Sequence, residues 1–450
     1  MSYVHDTLEQ LRRSSPAQAE FYQAAEEVLE SIEPLIEEDP RYVREGIIQR
    51  IVEPERQILF RIAWVDDAGQ VQVNKGYRVQ FSSVLGPYKG GLRFHPSVNS
   101  GVVKFLGFEQ IFKNALTGLA IGGAKGGADF DTKGRSDHEV MRFCQSFMAE
   151  LHRHIGAVVD VPAGDIGVGA REIGYLYGHY RRLTGHFDGA ITGKGLTWGG
   201  SMGRTEATGY GCVYFAQNML AARGKDLQGK TCLVSGAGNV AIYTMEKLIE
   251  LGAKPVSCSD STGTIYHEAG IDLETVKRLK ERERTTLEPY LEAHSDARFI
   301  PRSDYPEGGH AVWRLPADAA FPCATQNELT ESDADALLGN GVMCVCEGAN
   351  MPSTAGAVDR FLQAGIAFGP GKAANAGGVA TSQLEMQQNA AMTQWPMKQV
   401  DGQLRDIMKN IHRRASEAAA EFGRPNDLVM GANIAGFRRV ANAMLEQGVF

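Results

Sequence analysis

Three lysines stand where lysine is an expensive choice: Lys89 in Gly86-Pro-Tyr-Lys-Gly-Gly91, Lys113 in Phe112-Lys-Asn-Ala115, and Lys125 in Gly122-Gly-Ala-Lys-Gly-Gly127. Glycines beside a lysine let the backbone approach a ligand closely, and loops of this composition carry function more often than packing. Two such cations can hold the two carboxylates of a small diacid. The third is then free for proton chemistry, because a lysine that is desolvated or crowded by other cations gives up its proton readily. The competing reading is three solvated lysines with snorkelling stems. It suits a lone lysine better than three, each flanked by glycine or aromatic residues.

A proton-transfer partner is available in Asp160-Val-Pro-Ala-Gly-Asp165-Ile-Gly-Val-Gly169, a turn-rich segment with two carboxylates and no cation. Pairing of Asp165 with Lys125 would shift the proton affinity of each, as acid–base catalysis requires. The plainer alternative for Asp165 is a turn-forming aspartate.

A second kind of chemistry is written at Thr231-Cys-Leu-Val-Ser-Gly236-Ala-Gly238-Asn-Val-Ala241. A strand runs directly into G-x-G-x-x-A, a helical pattern follows (Met245, Leu248, Ile249, Leu251), and a second strand ends at Asp260. That is the dinucleotide-binding arrangement, in which Gly236 and Gly238 permit a tight turn and bring a pyrophosphate to a helix N-terminus. Asp260 in that position normally accepts a ribose 2′-hydroxyl and favours NAD. Ser261 and Thr262 follow it, however, and Arg278, Lys280, Arg282 and Arg284 lie just beyond, so a 2′-phosphate and NADP stay open. The stretches Gly122–Gly127 and Gly365–Lys372 miss the spacing of a phosphate-binding P-loop, which argues against phosphoryl transfer. Joined, the two sites describe a hydride-transfer enzyme for a small acidic substrate.

The elements that must position these residues fall into two halves. Ser15-Pro16-Ala17-Gln18 reads as a capping box opening a helix with Phe21, Ala24, Ala25, Val28 and Leu29 on one face. Alternating patterns over 57–64 and 71–81 around Asp66-Asp-Ala-Gly69 predict a β-hairpin, and helices follow at 100–116 and 136–155, the second opened by a capping box at Ser136-Asp-His-Glu139. From Thr231 onward short apolar strands (231–235, 255–259, 319–323, 342–346, 366–368) alternate with helical patterns. Such alternation predicts a parallel sheet covered on both faces. Helices at 398–422 and 430–446 close the chain. The expected class is therefore α/β with two domains: an N-terminal substrate domain with a mixed sheet over 1–200, joined by a C-terminal helix at 425–450, and a doubly wound Rossmann-type domain over 201–424.

Composition narrows the partners. The 450 residues include 43% hydrophobic and 22% charged side chains and carry a net charge of −8, which argues against a nucleic acid or anionic membrane as main partner. No apolar run is long enough to span a bilayer, and five glutamates occupy the first 30 residues, unlike a secretory signal. The seven cysteines sit in apolar contexts and read as reduced, buried thiols, which points to the cytoplasm. Cys344-Val-Cys346 and His152-Arg-His154 lack metal-ligand spacing, so no metal is expected.

The motifs at 86–96, 104–114, 122–127, 162–167, 372–378 and 431–437 resemble the hexameric bacterial glutamate dehydrogenases over essentially the whole chain. The resemblance implies reversible oxidative deamination of L-glutamate to 2-oxoglutarate and ammonium through iminium and carbinolamine intermediates, a role in ammonia assimilation, NADP rather than NAD, and a homohexamer. By the same resemblance Lys89 and Ser382 take the side-chain carboxylate, and Gln110 and Lys113 take the α-carboxylate. Lys125 activates water, and Asp165 moves protons at the amino group beside the Gly164 carbonyl. Thr208, Asn239, Val240, Asn350 and Asn375 line the cofactor site with Gly236, Gly238, Asp260 and Ser261. Relatives acting on leucine or phenylalanine carry an apolar residue where Lys89 stands, which makes Lys89 the discriminating position.

Overall fold

The structure, a computed structural model, describes residues 3–14 and 18–449. The capping box expected at Ser15 falls on residues outside the described ones. The helix itself spans Ala19–Glu38 and buries Phe21, Ala24, Ala25, Val28 and Leu29. Contacts divide the chain into two units, one of residues 1–204, 379–400 and 433–450, the other of residues 205–378 and 401–432.

The first unit is built on a mixed five-stranded sheet in the order β1-β2-β4-β3-β5. The strands are β1 (Arg56–Val65), β2 (Val71–Ser82), β3 (Tyr88–Phe94), β4 (Gly123–Ala128) and β5 (Asp160–Gly164). β1 and β2 form the expected antiparallel hairpin, whereas β3 pairs in parallel with both β4 and β5. The glycine-rich lysine segments, expected as loops, are thus the interior strands of this sheet, and the Asp160 segment is a strand for its first five residues. The reason is steric. A Cβ on Gly90 would lie 1.6 Å from the Ala124 carbonyl oxygen, so only glycine admits the approach of β3 to β4.

One face of the sheet is covered by the helix Ser100–Leu116, which Asn99 caps through the Val102 amide. Asn114 on that helix is fully buried and donates to the Lys89 carbonyl at 3.1 Å, fixing the helix to β3. A second core is formed with Asp137–Leu151 and Ala170–Thr184, where Trp64, Phe94, Phe130, Phe143 and Phe147 interlock. Ser136 and Glu139 form the expected capping box on the first of these helices, which ends at Leu151 and passes into a 3₁₀ turn at His152–His154. Residues 433–450 complete the unit. There Arg439 donates to the carbonyls of Ala115 and Leu119.

The second unit holds a five-stranded, wholly parallel sheet, order β13-β12-β11-β6-β7. Its strands are β6 (Thr231–Val234), β7 (Lys254–Pro255), β11 (Ala319–Phe321), β12 (Cys344–Cys346) and β13 (Ala367–Gly369). The chain goes from β6 to β7 on one side and returns to β11 on the other, so the strand order reverses at β6, where α/β sheets bind ligands. A feature the sequence reading lacked is a small antiparallel sheet of β8 (Ser257–Ser259), β9 (Gly263–Tyr266) and β10 (Arg298–Pro301). The run expected as one strand over 255–259 is therefore divided between two sheets. All seven cysteines are buried and unpaired as disulfides.

The expected partition put 201–424 in one domain and returned 425–450 to the other; the contacts instead place 201–204 and 379–400 in the first unit and 425–432 in the second. The helix Gly377–Ala390 joins the first unit through two polar contacts: Ser382 accepts from Arg204, and Glu385 pairs with Lys194.

Candidate active site

In the first unit the sheet gathers the predicted cations. Lys89 on β3 is 1% exposed and donates from Nζ to the Thr192 hydroxyl at 2.8 Å. Lys125 on β4 is also buried, with Nζ 3.3 Å from Asp165 Oδ2. The pairing expected from sequence is present. Asp165 lies in the turn that follows β5, closed by a hydrogen bond from the Val168 amide to the Asp165 carbonyl at 2.9 Å. Lys113 and Gln110 project from the helix Ser100–Leu116, and the Gln110 amide donates to Asn114 Oδ1 at 2.7 Å. Gly164 ends β5 opposite Leu92, and its carbonyl comes so near Gly91 that a Cβ there would lie at 2.7 Å.

Three contributors were not singled out by the sequence reading. Arg93 Nε donates to Asp165 Oδ2 at 2.7 Å, a shorter contact than that of Lys125. Strand periodicity was the available signal, since residues 89, 91 and 93 of one strand share a face. Thr192 receives Lys89, and Arg204 Nε donates to the Ser382 hydroxyl at 2.8 Å. Neither had a local signature, because their partners lie far away in sequence.

The electrostatics follow from crowding cations in a desolvated place. Burial, reinforced by Arg204 and Arg78, drives Lys89 well below the usual lysine range. Burial and the nearby Lys125 bring Lys113 down to about 8. Lys125 is lowered by burial too, though the Asp165 carboxylate opposes the shift. Burial alone would raise Asp165, but Lys125 and Arg93 hold it below the ordinary carboxylate value, so the pair contains an ionised acid beside a loosely held ammonium proton. Such a pocket favours an anion with two separated negative groups and can pass a proton at its centre.

In the second unit the turn Ser235–Gly238 leads from β6 into the helix Asn239–Glu250. Gly236 has φ +82, and a Cβ there would crowd Ala324 at 3.2 Å. Gly238 caps the helix without a side chain, and a Cβ there would meet nothing within 4 Å, which leaves the first amides open to an anion. Val240 lies in the first turn, Asn239 donates to the Thr205 carbonyl at 2.7 Å, and Thr208 begins the helix Ala207–Ala221. Asn375 is buried, donates to Asn350 Oδ1 at 2.8 Å and to the Ala349 carbonyl at 3.0 Å, and keeps a buried Oδ1 with no donor among the described residues. A cofactor carboxamide answers such an orphaned acceptor. Two buried carboxyls hold the surrounding loops by their amides: Glu328 binds Ala324 and Glu347 binds Gly371, and burial pushes both up to about 7. These residues fit a dinucleotide.

Asp260 is placed at the expected strand end but is already engaged. Its Oδ2 accepts from Lys280 Nζ and from the Leu287 amide, both at 3.0 Å, and its Oδ1 from the Thr262 amide and hydroxyl. Burial would raise this carboxyl, and the bonds from Thr262 and Lys280 instead hold it low. Ser261 beside it is exposed. Of the four basic residues considered from sequence, Lys280 is the one paired with Asp260.

A parallel sheet with a dinucleotide turn, in a chain that also carries a proton-transfer pair among buried lysines, defines a two-domain α/β dehydrogenase. Residues 199–448 match the family model described as Glutamate/Leucine/Phenylalanine/Valine dehydrogenase, and residues 54–182 match the Glu/Leu/Phe/Val dehydrogenase dimerisation domain. The chain is 59% identical over 447 residues to an NADP-specific glutamate dehydrogenase of Helicobacter pylori, covering 99% of this chain and 100% of that one. It is 52% identical over 449 residues to the NADP-specific glutamate dehydrogenase of Escherichia coli, covering 98% of each. A solved glutamate dehydrogenase from Plasmodium falciparum superposes with a TM-score of 0.96 at 50% identity, covering 99% of this chain and 95% of that one. The chain belongs to the Glutamate/Leucine/Phenylalanine/Valine dehydrogenase family.

Proposed function

We propose that this chain is an NADP-dependent glutamate dehydrogenase, converting L-glutamate reversibly to 2-oxoglutarate and ammonium. The observation that carries the choice of glutamate within the family is Lys89, a buried cation fixed to Thr192 at the end of the pocket, which suits a second carboxylate and not an apolar side chain.

In this reading Lys89, Arg204 and the Ser382 hydroxyl receive the side-chain carboxylate, and Gln110 with Lys113 receives the α-carboxylate. Bound NADP would accept, and NADPH would donate, the hydride. Asp165, ionised beside Arg93 and Lys125, takes a proton from the substrate amino group, with the Gly164 carbonyl orienting that group. Lys125, which burial disposes to give up its proton, acts as the neutral amine that accepts a proton from the water attacking the iminium carbon, and as the resulting ammonium it steadies the carbinolamine. Returning that proton to the carbinolamine nitrogen lets the C–N bond break, and the hydroxyl proton passes to the departing ammonia, leaving the 2-oxo group and ammonium.

The helix N-terminus at Gly236, Gly238, Asn239 and Val240 would hold the pyrophosphate, and Thr208, Asn350 and Asn375 the nicotinamide portion. NADP is favoured over NAD because Asp260 has spent its acceptor capacity on Thr262, Lys280 and Leu287. Lys280 and the exposed Ser261 beside it supply a cation and a hydroxyl for a 2′-phosphate. Assembly into a homohexamer belongs to the same proposal. Its support is the uncovered apolar face of the β1–β2 hairpin, where Leu59, Val71 and Val73 are 68%, 70% and 63% exposed within the segment matching the dimerisation domain. A cytoplasmic location agrees with seven unpaired thiols and with no helix among the described residues being long and apolar enough to cross a membrane.

Initial rates with 2-oxoglutarate and ammonium test the reading, using NADPH and NADH in parallel and 2-oxoisocaproate as an apolar rival. Oxidation of NADPH that depends on both 2-oxoglutarate and ammonium is expected. Faster turnover of the apolar oxoacid would overturn the assignment.

A further inference from the structure

Glu385 is a fully buried acid on the helix Gly377–Ala390, and a buried carboxylate persists only where it is paired and hydrogen-bonded. Its partners all come from one turn. Oε1 lies 3.0 Å from Lys194 Nζ, the Gly193 amide donates to Oε2 at 3.0 Å, and the Lys194 amide donates to Oε1 at 3.3 Å. Lys194 Nζ also donates to the Ile191 carbonyl, so the turn 191–194 is closed on itself through this pair. Between those anchors stands Thr192, whose amide donates to the Pro162 carbonyl on β5 and whose hydroxyl receives Lys89. Ser382 precedes Glu385 by three residues, so the same helix face carries both the hydroxyl bound by Arg204 and the carboxylate that clamps the turn.

We infer that Glu385 is a positioning residue for the carboxylate-receiving end of the pocket, fixing the turn 191–194 and with it the Thr192 hydroxyl that receives Lys89. The inference rests on the glutamate reading for the identity of the ligand. The charged groups around this end are Lys89 on β3, Arg78 on β2, Asp160 on β5, Lys194 and Asp188 on the segment before the turn's end, Arg204, and Glu385 itself. Asp160 is held by the Arg78 guanidinium and Gln80. Burial first, then Arg204 and Arg78, depress Lys89, and Glu385 leads the groups that oppose them. For Arg204, burial lowers the guanidinium and Glu385 is the acid that counters it. Without that charge Lys89 loses its proton at lower pH, and a neutral amine no longer attracts a carboxylate.

The test is Glu385→Gln in the full chain, which keeps the shape and removes the charge, compared with Glu385→Asp, Lys89→Leu and the wild type. KM for 2-oxoglutarate is expected to rise about tenfold or more in Glu385→Gln, as when a buried charge pair loses one partner. Its increase with pH should begin at lower pH, NADPH affinity by fluorescence titration should stay unchanged, and Glu385→Asp should recover the pH profile in part. Should Glu385→Gln not fold, Glu385→Gln with Lys194→Met removes both buried charges and is expected to show the same KM and pH displacement. Unchanged KM and pH profile in the folded variant overturns the inference, as does an equal loss of NADPH affinity, which would mark a general structural role. If Lys89→Leu abolishes 2-oxoglutarate turnover while Glu385→Gln does not move KM, only this inference falls. If Lys89→Leu has no effect, the glutamate reading falls with it.

Discussion

The two candidate sites of this chain solve opposite problems. The pocket of the first unit is made from side chains: Lys89, Lys113, Lys125, Arg93 and Arg204 gathered around few acids, most of them desolvated. The dinucleotide turn of the second unit is made from backbone, with Gly236 and Gly238 opening helix amides that carry only partial charge. A desolvated charge is costly and adjustable, so it suits proton transfer and the choice of substrate. A helix N-terminus is permanent and insensitive to pH, so it suits holding a cofactor whatever its redox state. Even the acids differ in use. Asp165 is kept ionised by two cations, whereas Glu328 and Glu347 are pushed up to about 7 by burial and serve to tie loop amides.

If that division holds, lesions in the first site should strike turnover or substrate choice and spare the cofactor, and lesions in the second should do the reverse. Lys125→Met is expected to have the largest effect, lowering kcat by about a thousandfold, within the range of lost acid–base catalysis, at unchanged NADPH affinity. Steady-state rates beside fluorescence titration decide this, and a kcat within a few-fold of wild type removes Lys125 from the chemistry. Lys89→Leu should lower kcat/KM for glutamate by about a hundredfold and admit apolar amino acids, since a pocket built for a polar group rejects its replacement more sharply than a merely apolar one. Competition between glutamate and norvaline reads that outcome.

On the cofactor side, Lys280→Ala is expected to reduce the NADPH over NADH preference about tenfold, as one charge-assisted contact is lost and Asp260 is freed for a ribose hydroxyl. An unchanged ratio of kcat/KM values would place the 2′-phosphate elsewhere. Gly236→Ala, forced into φ +82, should weaken NADPH by several-fold, about the cost of placing a side chain in that conformation, with kcat at saturation preserved. The smallest effect is a pH trend. Lys113 is at about 8 when folded against an ordinary 10.5, because burial and Lys125 disfavour its charge. Between these values the unfolded chain binds more protons, so stability contributed by this group rises with pH across that window. The Tm advantage of Lys113→Met over wild type should therefore shrink as pH goes from 7 to 10.5. A constant difference would mean that Lys113 is not desolvated in solution.

Much of this was legible in the residues because the relevant signals are local. The β1–β2 hairpin, the Ser136 capping box and the strand–turn–helix at Gly236 each depend on neighbours close in sequence, none farther apart than Arg56 and Gln80, and they form where the patterns put them. The lysine motifs were legible as chemistry but not as structure. Glycine-rich composition suggests a loop, and only the packing of β3 against β4, with no room for a Cβ at Gly90, makes it a strand. The division of 255–259 between two sheets was hidden for a related reason. Each piece is too short for periodicity to mark, and the first pairs with β6 while the second pairs with β9.

Alone, the sequence determined which chemistry is available: three lysines and an aspartate of the right kinds, a dinucleotide turn, and a net charge of −8 that leaves any anionic substrate to a local cluster of cations. Those facts are properties of residue type and short spacing, and folding does not alter them. Tertiary structure decided how the residues are paired: Arg93 beside Asp165, Thr192 under Lys89, Arg204 on Ser382, and Lys280 occupying Asp260. Most of these partners are separated by 70 to almost 180 positions or come from different elements. Burial and pairing set a proton affinity, and both are quantities that exist only once distant segments have been brought together.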